Sequence, residues 1–318
     1  MKISVIICTH NPREEYLQHT LEGLKQQSLP VTDWELLLID NDSDNALSGD
    51  VDISWHPQGR HVREEELGLT PARLRGIKES KADLLVFVDD DNVLNADYLE
   101  EALEIAGKHP FIGVYGGSSI GLYEKRPPEW AEIMLSDLAI RDVTEDSWAC
   151  LPGTKALVCA PCGAGMVIRK AIAEHYAELL EENSMRAAMD RKGSSLSSAG
   201  DSDMALTACK IGYAIGTFAG LSLVHLIPEQ RLERDYLIRL AEGQSFSYVI
   251  LTYLHTDKLP NFAMNRPKCG RAEGLLKAYQ SLRARLKSSN KNDFREDVRM
   301  ARLKGAQNAA SFLAEKFQ

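Results

Sequence analysis

The chain has 318 residues, 44% apolar and 26% charged, which is ordinary for a folded protein with room for one large domain or two. A net charge of -9 argues against nucleic acid as a partner of the whole molecule. No run of about 18 apolar residues offers a membrane-spanning helix, and the apolar start Ile3–Cys8 is too short for a signal peptide.

The charge is uneven. Thirteen Lys/Arg against five Asp/Glu between Asn265 and Gln318 give +8, which leaves -17 on residues 1–264. Such a basic tail docks on an acidic surface, faces a membrane peripherally, or is a solvated helical face. Arg283, Arg285 and Lys287 interleave with Leu275, Leu276, Leu282 and Leu286 in a basic amphipathic pattern. The six cysteines do not form a secreted disulfide framework, and Cys159-Ala-Pro-Cys162 has no second pair at zinc-finger distance. A cytoplasmic location fits, with contact at the inner face of a membrane left open. Self-association is also left open.

In chain order, Ile3–Cys8 reads as a buried strand, Thr9-His-Asn-Pro12 as a turn, and Arg13 to Gln27 as a helix. Trp34–Ile39 reads as a second strand, ended by Asp40-Asn-Asp-Ser-Asp-Asn45, and Ile53–His56 as a short third. That acidic run resembles the start of an EF-hand loop, but Asn45 and Val51 stand where the loop needs Gly and Glu. Asp42 and Asp44 therefore read as turn formers. Leu69–Ser80 is predicted helical, with Thr70 as cap and Pro71 in the first turn. Leu84–Val88 is a fourth strand, followed by a helix over Ala96–Lys108.

From Gly113 to Gly165, Gly and Pro loosen the pattern into strands and loops. Met166–Ile168 reads as a strand, Lys170–Glu181 as a helix, and Met189–Ser202 as a polar loop. Asp203–Ile211 reads as a helix, and Tyr213–Thr217 and Leu221–Leu226 as two strands. Helices run on beyond Pro228. Strands alternating with helices imply an α/β fold with a mostly parallel sheet.

Three of these strands end in polar clusters: Thr9-His10-Asn11, Asp40–Ser43 and Asp89-Asp90-Asp91. In a parallel sheet they share the carboxyl edge, where open α/β folds bind ligands. Asp89 and Asp91, two apart, present hard oxygen donors of the kind that suit Mg²⁺ or Mn²⁺ together with a diphosphate. His10, His56 and His61 have no evident partner.

The chain resembles the family 2 glycosyltransferases of the GT-A fold. The resemblance is carried by Val5-Ile-Ile-Cys-Thr-His-Asn-Pro12, Leu36-Leu-Leu-Ile-Asp-Asn-Asp-Ser43, Ala72-Arg73, Val86-Phe-Val-Asp-Asp-Asp91, Gly163-Ala-Gly-Met-Val-Ile-Arg169 and Gly200-Asp-Ser-Asp203. It covers about residues 3–226. It implies a GT-A domain over 1–226, with a nucleotide-binding half at 1–110 and an acceptor and catalytic half at 111–226. A helical segment at 227–318 follows.

By resemblance, Thr9 and Asp40 contact the nucleobase and Arg73 helps hold it. Asp89 and Asp91 bind metal and donor diphosphate, and Asp90 lies near the ribose. Gly163, Ala164 and Gly165 line the sugar and acceptor sites. Asp201 is the general base, with Asp203 as the alternative, and His225 completes the metal set. The family's Glu-Asp motif is broken here, because Gly200 replaces the Glu.

The implied activity is inverting, Mn²⁺- or Mg²⁺-dependent transfer from a nucleotide sugar, most simply a UDP-sugar. The acceptor is a saccharide or lipid-linked hydroxyl in polysaccharide or glycoconjugate assembly. A non-catalytic nucleotide-sugar-binding protein is the alternative that Gly200 favours. A sugar-nucleotide pyrophosphorylase would show a Gly-rich loop where Thr9-His-Asn-Pro12 stands. Gln230-Arg-Leu-Glu-Arg234 lacks the spacing and the Trp of processive synthases, and reads as a charged helix start.

Overall fold

In the computed structural model, which describes residues 1–191, 196–258 and 291–316, three parallel strands form the frame. They are β1 (Ile3–Thr9), β2 (Trp34–Asn41) and β4 (Leu84–Asp89). All three are apolar on both faces and almost wholly buried, the signature of parallel strands covered on both sides. Side chains alternate between two layers. Ile3, Val5 and Ile7 face the layer of α1 (Glu14–Lys25) and α4 (Tyr98–Lys108). The single turn α2 (Leu47–Asp50) follows β2 in the chain, and Ile6, with Leu37, Ile39, Leu85 and Phe87, faces α3 (Leu69–Glu79), α5 (Lys170–Glu182) and α6 (Gly200–Lys210). The helix α3 sits tight on the sheet because Gly76 lies over Ile6, where a Cβ would collide.

The described strands form one mixed sheet in the order β3-β2-β1-β4-β8-β6-β9-β5, with β7 paired to β9. Its remaining strands are β3 (Gly59–Glu64), β5 (Asn92–Leu94), β6 (Ile112–Tyr123), β7 (Ser147–Ala149), β8 (Val167–Arg169) and β9 (Ala214–Ile227). The β1–β2, β1–β4, β2–β3 and β6–β9 pairs are parallel; β8 runs antiparallel to both β4 and β6. This matches the expected α/β class with a mostly parallel sheet flanked by helices.

The third strand does not lie at Ile53–His56. That stretch turns on itself, with His56 N–H donating to the Ile53 carbonyl, and it packs inward as Ile53 and His56. The real β3 is Gly-Arg-His-Val-Arg-Glu. Its charges disguise it, as is usual for an edge strand. Thr70 is not the cap of α3: Gly68 precedes the helix with φ 147°, and the Thr70 hydroxyl donates elsewhere. The stretch read as loose holds the twelve-residue strand β6. The two late strands are one, β9, running past a bulge where Gly117 lets the Leu221 backbone close in.

Helices α7 (Arg234–Thr256) and α8 (Lys291–Lys316) pack on each other and on the α/β body. Phe294, Val298 and Ala301 bury against Leu237, Leu240 and Met134, and Trp130 meets Phe294 edge-on at 4.6 Å. The basic amphipathic pattern around Leu275–Lys287 lies outside the described residues. No described helix is long and apolar enough to cross a membrane. The five described cysteines are free thiols.

His56 is 3% exposed, edge-on to Trp34 at 4.2 Å, and its Nδ1 accepts from the Gln58 N–H. Burial pushes its pKa down to about 4, outweighing the pull of Glu35. The unfolded chain therefore takes up a proton below about pH 6.5 that the folded state refuses, so stability is lost as pH falls from there toward 4. Urea melts should show a wild-type loss from pH 7 to pH 5 exceeding that of His56→Gln by about 1–2 kcal/mol; parallel losses would contradict this.

Candidate active site

Register brings the polar strand ends together. Thr9 is opposite Asp40, and Cys8 is opposite Asp89, so the ends of β1, β2 and β4 form one ledge. On that ledge Thr9 donates a short hydrogen bond to Asp90 and is 4% exposed. Thr9 thus belongs to the carboxylate run rather than standing free.

Asp40 is spent on its own loop. Its Oδ1 accepts from Ser43 N–H at 3.1 Å, and its Oδ2 accepts from Leu47 N–H at 3.1 Å and from Arg63 Nη1 at 2.9 Å. Burial would raise its pKa, but the Leu47 amide, Ser43 and Arg63 outweigh it and lower the group below the usual carboxylate range. Asn41 performs the same service for the next element. Its Oδ1 accepts from Gly68 N–H at 2.8 Å and its Nδ2 donates to the Glu66 carbonyl at 2.7 Å, which fixes the entry to α3 and hence Arg73.

The three aspartates after β4 are not equivalent. Burial, then the charge of Asp91, raises Asp89. Burial and Asp91 push Asp90 up to about 7 despite the Thr9 hydrogen bond. Asp91 feels the same burial, but the hydrogen bond from His225 and the charges of His225 and Arg231 override it and hold it at about 2. Like charges crowded in a dry site raise one another, and a local cation decides which stays ionised.

That cation is Arg231, in a 3-10 turn over Glu229–Leu232. Its Nη2 is 3.0 Å from Asp91 Oδ2 and its Nη1 is 3.2 Å from His225 Nε2, while His225 Nε2 is 3.5 Å from Asp91 Oδ1. The charged helix start read from the sequence is therefore part of this cluster.

Among the described residues, no three of His, Cys, Asp and Glu form a ready metal cage. Of the expected set, Asp91 and His225 converge and Asp89 interacts with both only at longer range. A carboxylate oxygen and an imidazole nitrogen closing on one cationic group are donors that suit Mn²⁺ or Mg²⁺, and the guanidinium stands in for such an ion. The residues fit a cation shared with an incoming diphosphate, since such ions take only one or two carboxylates from the protein.

On the other side of Asp89, Arg73 lies in α3, 7% exposed. Burial disfavours its charge, but Asp190, Asp201 and Asp89 together hold it firmly protonated.

Asp201 is the second residue of α6, a helix whose preceding residue, Ala199, offers no side-chain cap. Its Oδ2 accepts from Gly163 N–H at 2.8 Å. A Cβ on Gly163 would lie 3.0 Å from Arg73 Nη2 and 3.2 Å from Asp201 Oδ2, so only a bare backbone passes between them comfortably. Ala164 is buried, and the carbonyl of Gly165, at φ 70°, accepts from the Tyr98 hydroxyl at 2.5 Å.

Asp203 is elsewhere. It is fully buried beneath α6, taken by Arg186 Nη1 at 2.5 Å and His255 Nε2 at 2.7 Å. That arrangement ties α6 to the end of α7 and keeps Asp203 from solvent.

Sequence reasoning missed Asp190. Its Oδ2 accepts from the Thr70 hydroxyl at 2.8 Å and lies 3.5 Å from Arg73 Nη1, and its Oδ1 accepts from Gly200 N–H at 3.2 Å. The one available signal was Gly200, an absence that asked for an acid from somewhere else. A cavity of about 610 Å³ also opens beside the first turn of α6. Ser198, Ser202, Gln244, Ser245 and Tyr248 line it, with Arg299 and Arg302 from α8.

A family model for glycosyl transferase family 2 matches residues 4–173 of this chain. The chain belongs to glycosyl transferase family 2. Glucosyl-dolichyl phosphate glucuronosyltransferase of Haloferax volcanii is 24% identical over 137 residues, 41% of this chain and 42% of that protein. Poly(ribitol-phosphate) beta-N-acetylglucosaminyltransferase TarS of Staphylococcus aureus is 28% identical over 112 residues, 34% of this chain and 19% of that one. The match thus spans less than half the length of these curated relatives. Among solved structures, S. aureus TarS superposes with a TM-score of 0.52 at 16% identity, covering 84% of this chain and 46% of that one. Mannosyltransferase PcManGT from Pyrobaculum calidifontis, in complex with GDP-Man and Mn²⁺, gives 0.55 at 18%, covering 96% and 85%. At such identities the likeness establishes the GT-A fold.

Because Asp40 holds its loop with three hydrogen bonds, Asp40→Ala should cost about 2–3 kcal/mol in urea melts at pH 7. The stabilisation is present above the unfolded carboxylate pKa, about 3.9, and is lost as pH falls through the lower folded value. A variant as stable as wild type at pH 7 would contradict the assignment.

Proposed function

We propose that the protein transfers a sugar, with inversion, from a nucleoside-diphosphate sugar to an acceptor hydroxyl, with Asp201 as general base. One observation carries this reading: Asp201 has its carboxylate fixed by the Gly163 amide, with Arg73 Nη2 beside the same glycine. Family membership and the shared fold support it.

In this reading the acceptor O–H gives its proton to Asp201. The acceptor oxygen then bonds to the anomeric carbon from the face opposite the diphosphate. The bond from that carbon to the diphosphate oxygen breaks, and its electron pair leaves with the diphosphate. Positioned proton transfer of this kind contributes about 10²–10⁴ in rate. Arg231 and Arg73 face the negative charge that grows on the leaving group. Mn²⁺ or Mg²⁺ carried in with the nucleotide would be held by Asp91 and His225, with Asp89 alongside, and would supply Lewis-acid neutralisation there. Asp90, close to Thr9, is assigned to the ribose side, and the Gly163–Gly165 segment to the sugar.

A UDP-sugar is the simplest donor. For the acceptor we favour a saccharide or lipid-linked hydroxyl in polysaccharide or glycoconjugate assembly, and relatives named for a dolichyl phosphate sugar and a poly(ribitol-phosphate) support that class. The cavity beside α6, where hydroxyl and amide groups stand among Leu157, Leu251 and Leu303, is our place for it. The setting would be the cytoplasm or the inner membrane face.

With Mn²⁺ and a panel of nucleotide sugars, wild type should transfer or hydrolyse one donor. Asp201→Asn should lose about 10²–10³-fold in kcat with nucleotide affinity within about threefold. A wild type that binds a nucleotide yet turns over no donor, or an Asp201→Asn variant with unchanged kcat, would overturn the proposal.

A further inference from the structure

We infer that Asp190 supplies, from a different segment, the carboxylate that position 200 lacks, and that it is the positioning residue for Arg73 and Asp201. The inference deepens the transferase reading and rests on it for its kinetic arm.

The geometry is specific. A Cβ built on Gly200 collides with all three atoms of the Asp190 carboxylate. The glycine is therefore not merely a lost acid: its bare Cα is what admits the replacement. Asp190 is 7% exposed and meets three residues on two helices at once. Thr70 belongs to the first turn of α3, Arg73 to the same helix one turn on, and Gly200 opens α6. Acid and helix N-terminus suit each other, because the amides at the start of α6 have no intrahelical acceptor. Asp203 N–H already donates to the Ala199 carbonyl, while the Gly200 N–H goes to Asp190.

The consequence concerns Arg73. Its Nη1 reaches Asp190, its Nη2 lies by Gly163 near Asp201 Oδ2, and Asp89 adds its charge. Remove Asp190 and a buried guanidinium is left to seek another carboxylate, with Asp201 beside the same glycine, Gly163. A carboxylate paired with a guanidinium is a poorer proton acceptor. By holding Arg73 back, Asp190 keeps Asp201 free to act and holds the first turn of α6 at its proper distance from α3. Placement errors of this kind, away from the reacting atoms, cost rate rather than binding.

The test moves the charge. Asp190→Asn keeps the shape and removes the charge; kcat should fall about 10–10²-fold with the nucleotide-sugar KM within about threefold. Asp190→Ala and Gly200→Asp should each fall at least as far, the second because its new side chain displaces Asp190. The double variant Asp190→Ala/Gly200→Asp puts one carboxylate back in the same space. It should recover at least tenfold of the activity lost in the worse single variant, and its Tm should rise above both single variants. Simple packing damage would add rather than cancel. A fully active Asp190→Asn, or a folded double variant no better than the worse single in both kcat and Tm, would overturn the inference. If wild type transfers no sugar at all, the transferase reading has failed, and the Tm arm of the same cycle still decides the role of Asp190.

Discussion

Asp89, Asp90, Asp91, Asp190 and Asp201 are gathered around one sheet edge, and the arginines Arg73 and Arg231 stand among them as the balancing charges. Burial alone favours the protonated form of Asp89, Asp90 and Asp91. The effect is visible at Asp89 and Asp90, both raised. It is overcome at Asp91, where Arg231 and His225 stand close. A site holding more buried acid than base wants another cation, and the pair Asp91–His225 is where one would fit. The same surplus explains why so much of the surrounding structure is positional: the Asp40 loop, the Asn41 clasp and the Gly163 amide all hold charges at fixed separations.

The fold serves this by register. Parallel β1, β2 and β4 end level, so three loops meet on one ledge without any one strand being long. The mixed half of the sheet then brings the ends of β9 and α6 round to the same place. β9 delivers His225, and the turn after it delivers Arg231. The helices α7 and α8 complete the wall on the α6 side, so the segment beyond the family match contributes to the cavity beside α6.

Much of this was legible in the sequence where the signal was local. The runs ISVIIC, WELLLI and LLVFV can only be buried strands, and each runs straight into polar residues. Asp89 and Asp91 were marked by their spacing after a strand, and Arg73, Gly163 and Asp201 by the family resemblance alone. Non-local features were not legible. β3 is an edge strand whose charges, Arg60 and Arg63, serve Glu35, Glu79 and Asp40, so its pattern does not alternate. β6 and β9 were broken on paper by glycines that in fact allow a bulge and close strand packing. Asp203 looked interchangeable with Asp201, but two residues along a helix is a turn of about 200°, enough to point it into the core. Asp190 and Arg231 reach the site from loops whose course no periodicity reports.

The central claim is that the ledge is a nucleoside-diphosphate site completed by a divalent cation. It is tested most directly by thermal melting of the wild-type protein with UDP, GDP and dTDP in turn, each with and without Mn²⁺. A ligand that binds only the folded state raises Tm by mass action, by about 5 °C at a hundredfold excess over its Kd. One of the three, with UDP first in order, should raise Tm clearly more with Mn²⁺ than without, while Mn²⁺ alone has little effect. A Tm indifferent to every nucleotide, with and without the metal, would contradict the account.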